Sequence, residues 1–149
     1  MAIGLLAKQV GAVSNAPQGG EPQITHDLDF ESFQHNTKLG VKLLSAAYSV
    51  VNDDTGQVLI ARAAITITFP AASQARKGMW AIVINGTDTD LTIAFTANEL
   101  TTFNDVDADQ VAFSTSSEKV GAGAFVICDG TRWYLCPMTE ETQTMTVTT

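Results

Sequence analysis

Residues 64–70 read Ala-Ile-Thr-Ile-Thr-Phe-Pro, and this stretch decides the fold class of the chain. The apolar residues Ile65, Ile67 and Phe69 alternate with Thr66 and Thr68. In an extended chain their three side chains therefore point to one face. Pro70 has no backbone N–H to donate to a sheet and therefore ends the strand. The pattern predicts a half-buried β-strand.

The same period of two, bounded by turn residues, recurs along the sequence. Residues 79–84 are almost wholly apolar, which suits a strand covered on both faces. Residues 91–95 alternate again and are predicted to return beside that strand after the turn that begins at Asn85-Gly86. Further short strands are expected at residues 48–51, 57–61, 111–113, 123–128 and 131–136, with an acidic, irregular segment at residues 98–110. Seven or eight short strands at this spacing predict an all-β fold, an antiparallel β-sandwich or barrel.

The sequence divides into four segments. They are residues 1–23, an N-terminal arm and linker; residues 24–47, an extended connection or one short helix; residues 48–138, the β-sandwich; and residues 139–149, a tail with no assignable partner. An apolar segment on a Gly- and Pro-rich linker cannot bury itself alone. The arm is therefore expected either to fray or to dock on a partner or sister subunit. The apolar residues that could share one face of a short helix in the arm are Ile3, Leu5, Leu6, Val10 and Val13.

The chain of 149 residues is weakly charged and acidic. Charged residues make up 16% of it and the net charge is −8, whereas ordinary soluble domains contain roughly 25% charged residues. An acidic chain repels phosphate, so we expect no nucleic-acid partner. Its apolar runs are only a few residues long and no secretory signal is visible. We therefore expect no membrane span, and a protein that remains soluble in the cytoplasm where it is made.

Asp129-Gly130 lies between two apolar runs and predicts a β-hairpin with a type I′ turn. Cys128 and Cys136 then lie several residues apart along the paired strands, more than roughly 10 Å from each other. A disulfide needs Cα atoms within about 7 Å, so the sequence predicts two free, buried thiols.

Residues with catalytic chemistry are sparse in this sequence. His26 and His35 are the only histidines, and they lie far along the chain from the cysteines. Zinc-ligand spacing, a glycine-rich phosphate loop and a nucleophile motif are all absent from the sequence. We therefore expect no cofactor, no metal centre and no enzyme activity.

The sequence contains one acidic cluster, formed by Asp105, Asp107 and Asp109 with Glu99 nearby. Acids at alternate positions can converge on Ca²⁺, which takes about six to eight oxygen ligands. The EF-hand pattern fails, however, because its glycine and final glutamate are missing from the corresponding positions. The cluster is interpreted as a solvated acidic loop, with a weak Ca²⁺ site as the alternative.

Three segments together resemble a known family. They are residues 65–73, which read Ile-Thr-Ile-Thr-Phe-Pro-Ala-Ala-Ser; Lys77-Gly78 followed by the strand from Trp80 to Asn85; and residues 129–134, which read Asp-Gly-Thr-Arg-Trp-Tyr. In this order and spacing they resemble the small β-domains of tailed-bacteriophage virion proteins of the head-fibre, head-decoration (cement) and tail-fibre type. Phe69 stands where those domains usually have leucine. The resemblance covers roughly residues 48–137.

The resemblance implies a non-enzymatic virion structural protein, a capsid decoration or head-fibre protein that binds the major capsid protein or another virion component and stabilises the particle. It also implies a homotrimer that is assembled into the virion in the host bacterial cytoplasm. The arm residues named above, together with Arg132 and Tyr134 on the face opposite Trp133, are the candidate capsid or subunit contacts. The alternative is a tail-fibre module that recognises a host-surface glycan.

Overall fold

Two β-sheets packed face to face make up the described part of the chain, which in this computed structural model comprises residues 39–113 and 119–149. The strands are β1 (Gly40–Leu44), β2 (Tyr48–Ser49), β3 (Gln57–Ala61), β4 (Ile65–Thr68), β5 (Trp80–Asn85), β6 (Leu91–Ala94), β7 (Leu100–Thr102), β8 (Asp105–Ala108), β9 (Gln110–Phe113), β10 (Gly123–Cys128), β11 (Trp133–Met138) and β12 (Met145–Thr148). One sheet has the order β1-β3-β5-β10-β11-β7-β8 and the other the order β12-β9-β6-β4-β2. The all-β sandwich predicted from the sequence is confirmed.

Successive strands from β1 to β6 alternate between the two sheets. As a result β1, β3 and β5 are parallel neighbours in the seven-stranded sheet, and β2, β4 and β6 are parallel neighbours in the five-stranded sheet. Each connection crosses the sandwich, so the next strand of a given sheet arrives in the same direction as the previous one. Among the described strands, five of the ten pairings are parallel. The sandwich is mixed, and not antiparallel throughout as we expected.

The turn at Asn85-Gly86 illustrates why the expected hairpin does not form. Asn85 is buried, and its amide donates to the carbonyl of Thr89 at 2.8 Å while its Oδ1 accepts from the N–H of Thr87 at 3.3 Å. Gly86 donates its N–H to Ala61 at the end of β3, where a Cβ would lie 2.9 Å from that carbonyl oxygen. These contacts turn the chain across the sandwich, and β6 pairs with β4 instead of returning beside β5.

The segment of residues 98–110, expected to be irregular, contains β7 and β8. Its acidic composition hid the alternation of buried Leu100, Thr102 and Ala108 with more exposed residues. Two further strands lie outside the segment in which we expected the sandwich. Strand β1 begins at Gly40 and pairs with β3, and β12 in the tail pairs with β9.

The core lies between the sheets and is built from the alternating residues that the sequence singled out. Ile65, Ile67 and Phe69 are at most 9% exposed, and Leu91 and Ile93 are fully buried. The corresponding inward residues of the seven-stranded sheet are Leu44, Leu59, Ala61, Ala81, Val83, Leu100, Ala108, Ala124, Val126, Cys128, Trp133 and Leu135.

Trp133 is the largest fully buried side chain and joins the two sheets. Its ring meets Phe69 edge-on with centroids 5.0 Å apart and lies 6.1 Å from Phe95, while the two phenylalanines stack at 5.1 Å. Its indole Nε1 donates to the carbonyl of Pro70 at 2.8 Å. A buried indole needs such an acceptor, so packing and hydrogen bonding fix the same position.

Replacing Trp133 is therefore expected to be among the most destabilising single changes. Trp133→Ala should lower the free energy of unfolding by about 3–5 kcal/mol because it leaves a large cavity. Trp133→Phe should cost less, since it mainly leaves the Pro70 carbonyl without its donor, about 1–3 kcal/mol. Urea unfolding followed by far-UV circular dichroism measures both.

Phe103→Ala is the matched control, because Phe103 is an aromatic residue that is 59% exposed. Its effect should stay within about 0.5 kcal/mol. A Trp133→Ala protein as stable as the control would contradict the central role of the indole.

Candidate functional site

The loop between β10 and β11 holds Arg132 and leads into Tyr134, the two candidate contact residues of the sandwich. Cys128 pairs with Trp133, so the loop has four residues, and only Gly130 in it has a positive φ, of 102°. The expected type I′ turn, which needs positive φ at two central residues, is therefore wrong. The side chain of Asp129 shapes the loop instead.

Asp129 organises this loop by accepting hydrogen bonds on both carboxylate oxygens. Its Oδ1 accepts from the N–H of Thr131 at 2.7 Å and of Arg132 at 2.8 Å, and its Oδ2 accepts from the hydroxyl of Tyr134 at 3.1 Å. These bonds, the two backbone ones first, lower the pKa of Asp129 to about 2. The bond to the Asp129 carboxylate in turn raises the pKa of the Tyr134 phenol.

Arg132 ties this loop to the β7–β8 hairpin. Its guanidinium donates to the carbonyls of Asn98, at 3.1 Å, and Val106, and forms an ion pair with Asp107 at 2.9 Å. A guanidinium presents five donors in one plane, which suits it to hold two backbone segments together. Its two terminal nitrogens bond within the domain, which gives Arg132 an observed structural role.

Tyr134 lies on the outer face of the seven-stranded sheet, opposite the buried Trp133, as predicted for this strand. The outward side chains of β1, β3, β5, β10 and β11 on this face are apolar or aromatic. We call them the apolar face: Val41, Leu43, Val58, Ile60, Trp80, Ile82, Ile84, Phe125, Ile127, Tyr134, Cys136 and Met138. The expectation that residues 79–84 are covered on both faces is not met within the described residues, because Trp80, Ile82 and Ile84 point to this outer surface and are half-buried.

The outer face of the five-stranded sheet has the opposite chemistry. One row across its strands consists of Thr66, Thr92, Ala112 and Thr146. Threonine hydroxyls can bond to water, and their β-branched side chains favour extended backbone. The two outer surfaces of this sandwich thus differ sharply in polarity.

The acidic cluster is dispersed among separate structural contacts. Asp105 accepts from the N–H of Asp107 at 2.9 Å, Asp109 accepts from the N–H of Asn98 at 2.6 Å, and Glu99 accepts from the N–H of Ala72 at 2.7 Å. Within residues 39–113 and 119–149, no three His, Cys, Asp or Glu side chains come together as metal ligands.

A buried polar cluster at the β1 edge of the sandwich was missed by sequence reasoning. Asp54 is fully buried and accepts from Lys42 Nζ at 2.5 Å, from the Tyr48 hydroxyl at 2.9 Å and from the N–H of Val51 at 2.8 Å. Lys42 also donates to the Tyr48 hydroxyl at 2.7 Å and lies 4.9 Å from the centre of its ring. The sequence showed Asp54 only as a turn residue, and assigning β1 as a strand would have placed Lys42 on the inward side.

The charges of this cluster stabilise each other. Burial alone would raise the pKa of Asp54, but the hydrogen bonds from Lys42, Val51 and Tyr48 outweigh it and lower this pKa below the ordinary value of 3.8. The hydrogen bond to Asp54, followed by the one to Tyr48, raises the pKa of Lys42. Both groups therefore remain charged near neutral pH.

Both cysteines are free, as predicted, but only Cys128 is buried. Cys136 is exposed because it lies three residues after the inward-facing Trp133 on β11, which places it on the apolar face. The arm residues proposed as contacts, Ile3, Leu5, Leu6, Val10 and Val13, lie outside the described residues, as do His26 and His35.

Comparison with known proteins adds no family assignment. No family model matches the chain, and no curated protein matches it. In the described part of the chain, no helix is long and apolar enough to cross a membrane.

The buried ion pair is expected to make stability depend on acid pH. The pKa of Asp54 is lower in the folded than in the unfolded state, so its contribution is present above about pH 4 and is lost as the pH falls through the folded pKa. Asp54→Asn should lower the free energy of unfolding at pH 7 by about 2–3 kcal/mol. This value is near the lower limit for breaking a buried ion pair, because the Lys42 side chain is 36% exposed and water screens its charge. The variant's loss of stability on acidification should also be smaller.

Urea unfolding at a series of pH values measures both effects. The matched control is Asp53→Asn, which removes the same charge from the exposed neighbouring residue and should change stability by less than about 0.5 kcal/mol. An Asp54→Asn protein with the same acid dependence as the wild type would show that this carboxylate is not the titrating group.

Arg132→Ala is expected to loosen the β7–β8 hairpin without unfolding the sandwich. Amide hydrogen exchange in β8 should accelerate about tenfold, because Val106 and Asp107 lose their anchor. Arg76→Ala is the control, since Arg76 is a second arginine whose side chain bonds to Asn52, Ala71 and Ser73, none of which lies in β8. Equal exchange in β8 for the two variants would contradict the anchoring role.

Proposed function

We propose that this chain is a non-enzymatic structural protein of a tailed-phage virion, a capsid decoration (cement) or head-fibre protein that binds the capsid and stabilises the particle. One observation carries the proposal: the separate segments that resemble such virion domains come together in the fold. Trp133 of the last segment bonds to Pro70 of the first, and Gly78 of the middle segment bonds to Cys128 beside the last.

The glycine of the Asp-Gly-Thr motif takes part in the same junction. Gly130 has φ of 102° and accepts on its carbonyl from Gln74 Nε2 at 3.2 Å, and a Cβ on Gly130 would lie 2.6 Å from that nitrogen. Only glycine fits this conformation and spacing without displacing Gln74. The motif residues therefore serve packing and loop geometry, as expected for a domain whose task is to hold its shape.

The use of the acidic residues supports a structural role over a catalytic one. Asp107 pairs with Arg132, Asp129 closes its own loop, and Asp54 neutralises Lys42. Catalytic carboxylates typically have pKa values matched to proton transfer near the working pH. The pKa values of Asp54 and Asp129 are instead lowered, so both carboxylates stay ionised.

In this proposal the protein is a homotrimer that joins the virion in the host bacterial cytoplasm. The arm, with Leu5 and Leu6 among its apolar residues, contacts the major capsid protein or another virion component. A sandwich with few charges can pack against sister subunits without removing many ions from water.

A second candidate is a tail-fibre module that binds host-surface glycan, and Phe103 favours it. This aromatic residue is 59% exposed in the turn between β7 and β8, with φ of 50°. A bulky residue with positive φ is an outlier that often marks a functional position.

Gold-labelled antibodies against the purified chain distinguish the two functions on virions of the phage that encodes it. Label on the head supports the decoration or head-fibre role, label on the tail fibres supports the glycan-binding module, and particles without label contradict both. Deletion of residues 2–20 should reduce occupancy of the head by about tenfold or more, because the arm supplies the apolar anchor.

Leu5→Asp combined with Leu6→Asp tests the same anchor with full chain length, and Lys8→Ala is its control in the same segment. Unfolding curves of all variants should match the wild type. Unchanged head occupancy in the deletion and in the double variant would refute the capsid contact of the arm.

A further inference from the structure

The apolar face continues in register across five strands. One row runs from Val41 on β1 through Val58 and Ile82 to Phe125 and Cys136 on β11. The next row passes through Leu43, Ile60 and Ile84 to Gly123 and Met138 by the same pairings. Trp80, Ile127 and Tyr134 form a third row, with the rings of Trp80 and Phe125 edge-on at 5.8 Å.

Several of these side chains remain open to solvent in the described domain. Val41 is 58% exposed, Leu43 57% and Met138 43%. Scattered exposed apolar residues are ordinary, but a contiguous apolar sheet face marks an interaction surface. The threonine-rich outer face of the other sheet shows what a solvent-facing surface of this same sandwich looks like.

Charge and size both fit a protein interface. The apolar face contains no charged residue, although the whole chain carries a net charge of −8. A polar group lies at one end of the face, where the Tyr134 hydroxyl donates to Asp129. Five strands about 4.8 Å apart and about five residues long give a footprint on the order of 300–400 Å². Functional patches on proteins have this size.

We propose that the apolar face is the contact between copies of this chain. Two acidic copies repel wherever charged surfaces meet, whereas an uncharged face lets them approach while burying apolar area. The face also mixes large and small side chains, since Phe125 stands beside Cys136, so that two copies can interdigitate. Two such footprints with their polar rims approach the roughly 1,000 Å² that a specific interface needs.

This inference deepens the proposed function by naming the surface through which a homotrimer assembles, and its test requires no virions. The mass of the full-length chain is measured by light scattering and by sedimentation equilibrium over a range of concentrations. A defined multiple of 15.8 kDa is expected, with three copies if the proposed trimer is correct.

The decisive comparison uses two double variants with matched exposure and charge. Val41→Lys with Leu43→Lys changes residues on the apolar face that are 58% and 57% exposed. Phe103→Lys with Val106→Lys changes residues at the far end of the same sheet that are 59% and 57% exposed. Each pair makes the net charge less negative by two, so general repulsion falls equally and cannot explain a difference between them.

The first double variant should weaken association by about tenfold or more, as expected for charged groups placed in an apolar interface. The second should associate like the wild type, and both should keep the wild-type circular dichroism spectrum. A wild-type chain that is monomeric at all concentrations, or equal association of the two variants, would overturn the inference. A dimer that only the first variant dissociates supports the face and contradicts the trimer of the proposed function.

Cys136 provides a second readout within the face. Its reaction with a bulky maleimide should slow as the protein concentration rises, and should be fast at all concentrations in the Val41→Lys/Leu43→Lys variant. Cys128, which is buried, serves as the internal reference and should react only after unfolding. If the protein is a monomer and Cys136 is still protected at every dilution, another part of the same chain covers the face. This result would overturn the proposal.

Discussion

The relative position of the two sheets depends on the contacts of the Trp133 indole. The indole is supplied by β11 of the seven-stranded sheet, while Phe69, Phe95 and the Pro70 carbonyl come from segments that follow strands of the five-stranded sheet. Apolar burial alone would allow the sheets to slide over each other, because it has no direction. The Nε1 hydrogen bond and the edge-on ring geometry select one relative position.

The alternation of the chain between the sheets has a chemical consequence for their outer surfaces. Because β1, β3 and β5 are paired side by side, their outward residues stand in register and form continuous rows. Residues of like chemistry at alternate positions of each strand are thereby collected into one surface. The result is an apolar outer face on one sheet and a threonine-rich outer face on the other, although the inward residues of both sheets are similarly apolar.

Three charged residues of this domain hold connections between strands. Asp54 closes the connection between β2 and β3, Asp129 closes the β10–β11 loop, and Arg132 holds the β7–β8 hairpin. Few charged groups are present, and these three fix the conformation of loops through directional hydrogen bonds. Apolar packing thus builds the core and a few charged side chains hold the loops, so a chain with 16% charged residues can form well-defined connections.

The sequence by itself determined the elements whose signal is local. Period-two alternation identified β4 and β6, the apolar run identified β5, and Asp129-Gly130 identified the β10–β11 hairpin, because side-chain direction along a strand depends only on neighbouring residues. It also placed Tyr134 opposite Trp133 and predicted free cysteines. Strand partners were decided only by the tertiary structure, since a turn residue such as Asn85 does not specify which sheet the next strand joins. The Lys42–Asp54 pair and the apolar face likewise arise from strands distant in sequence, because pairing across the sheet brings together residues that no local pattern connects.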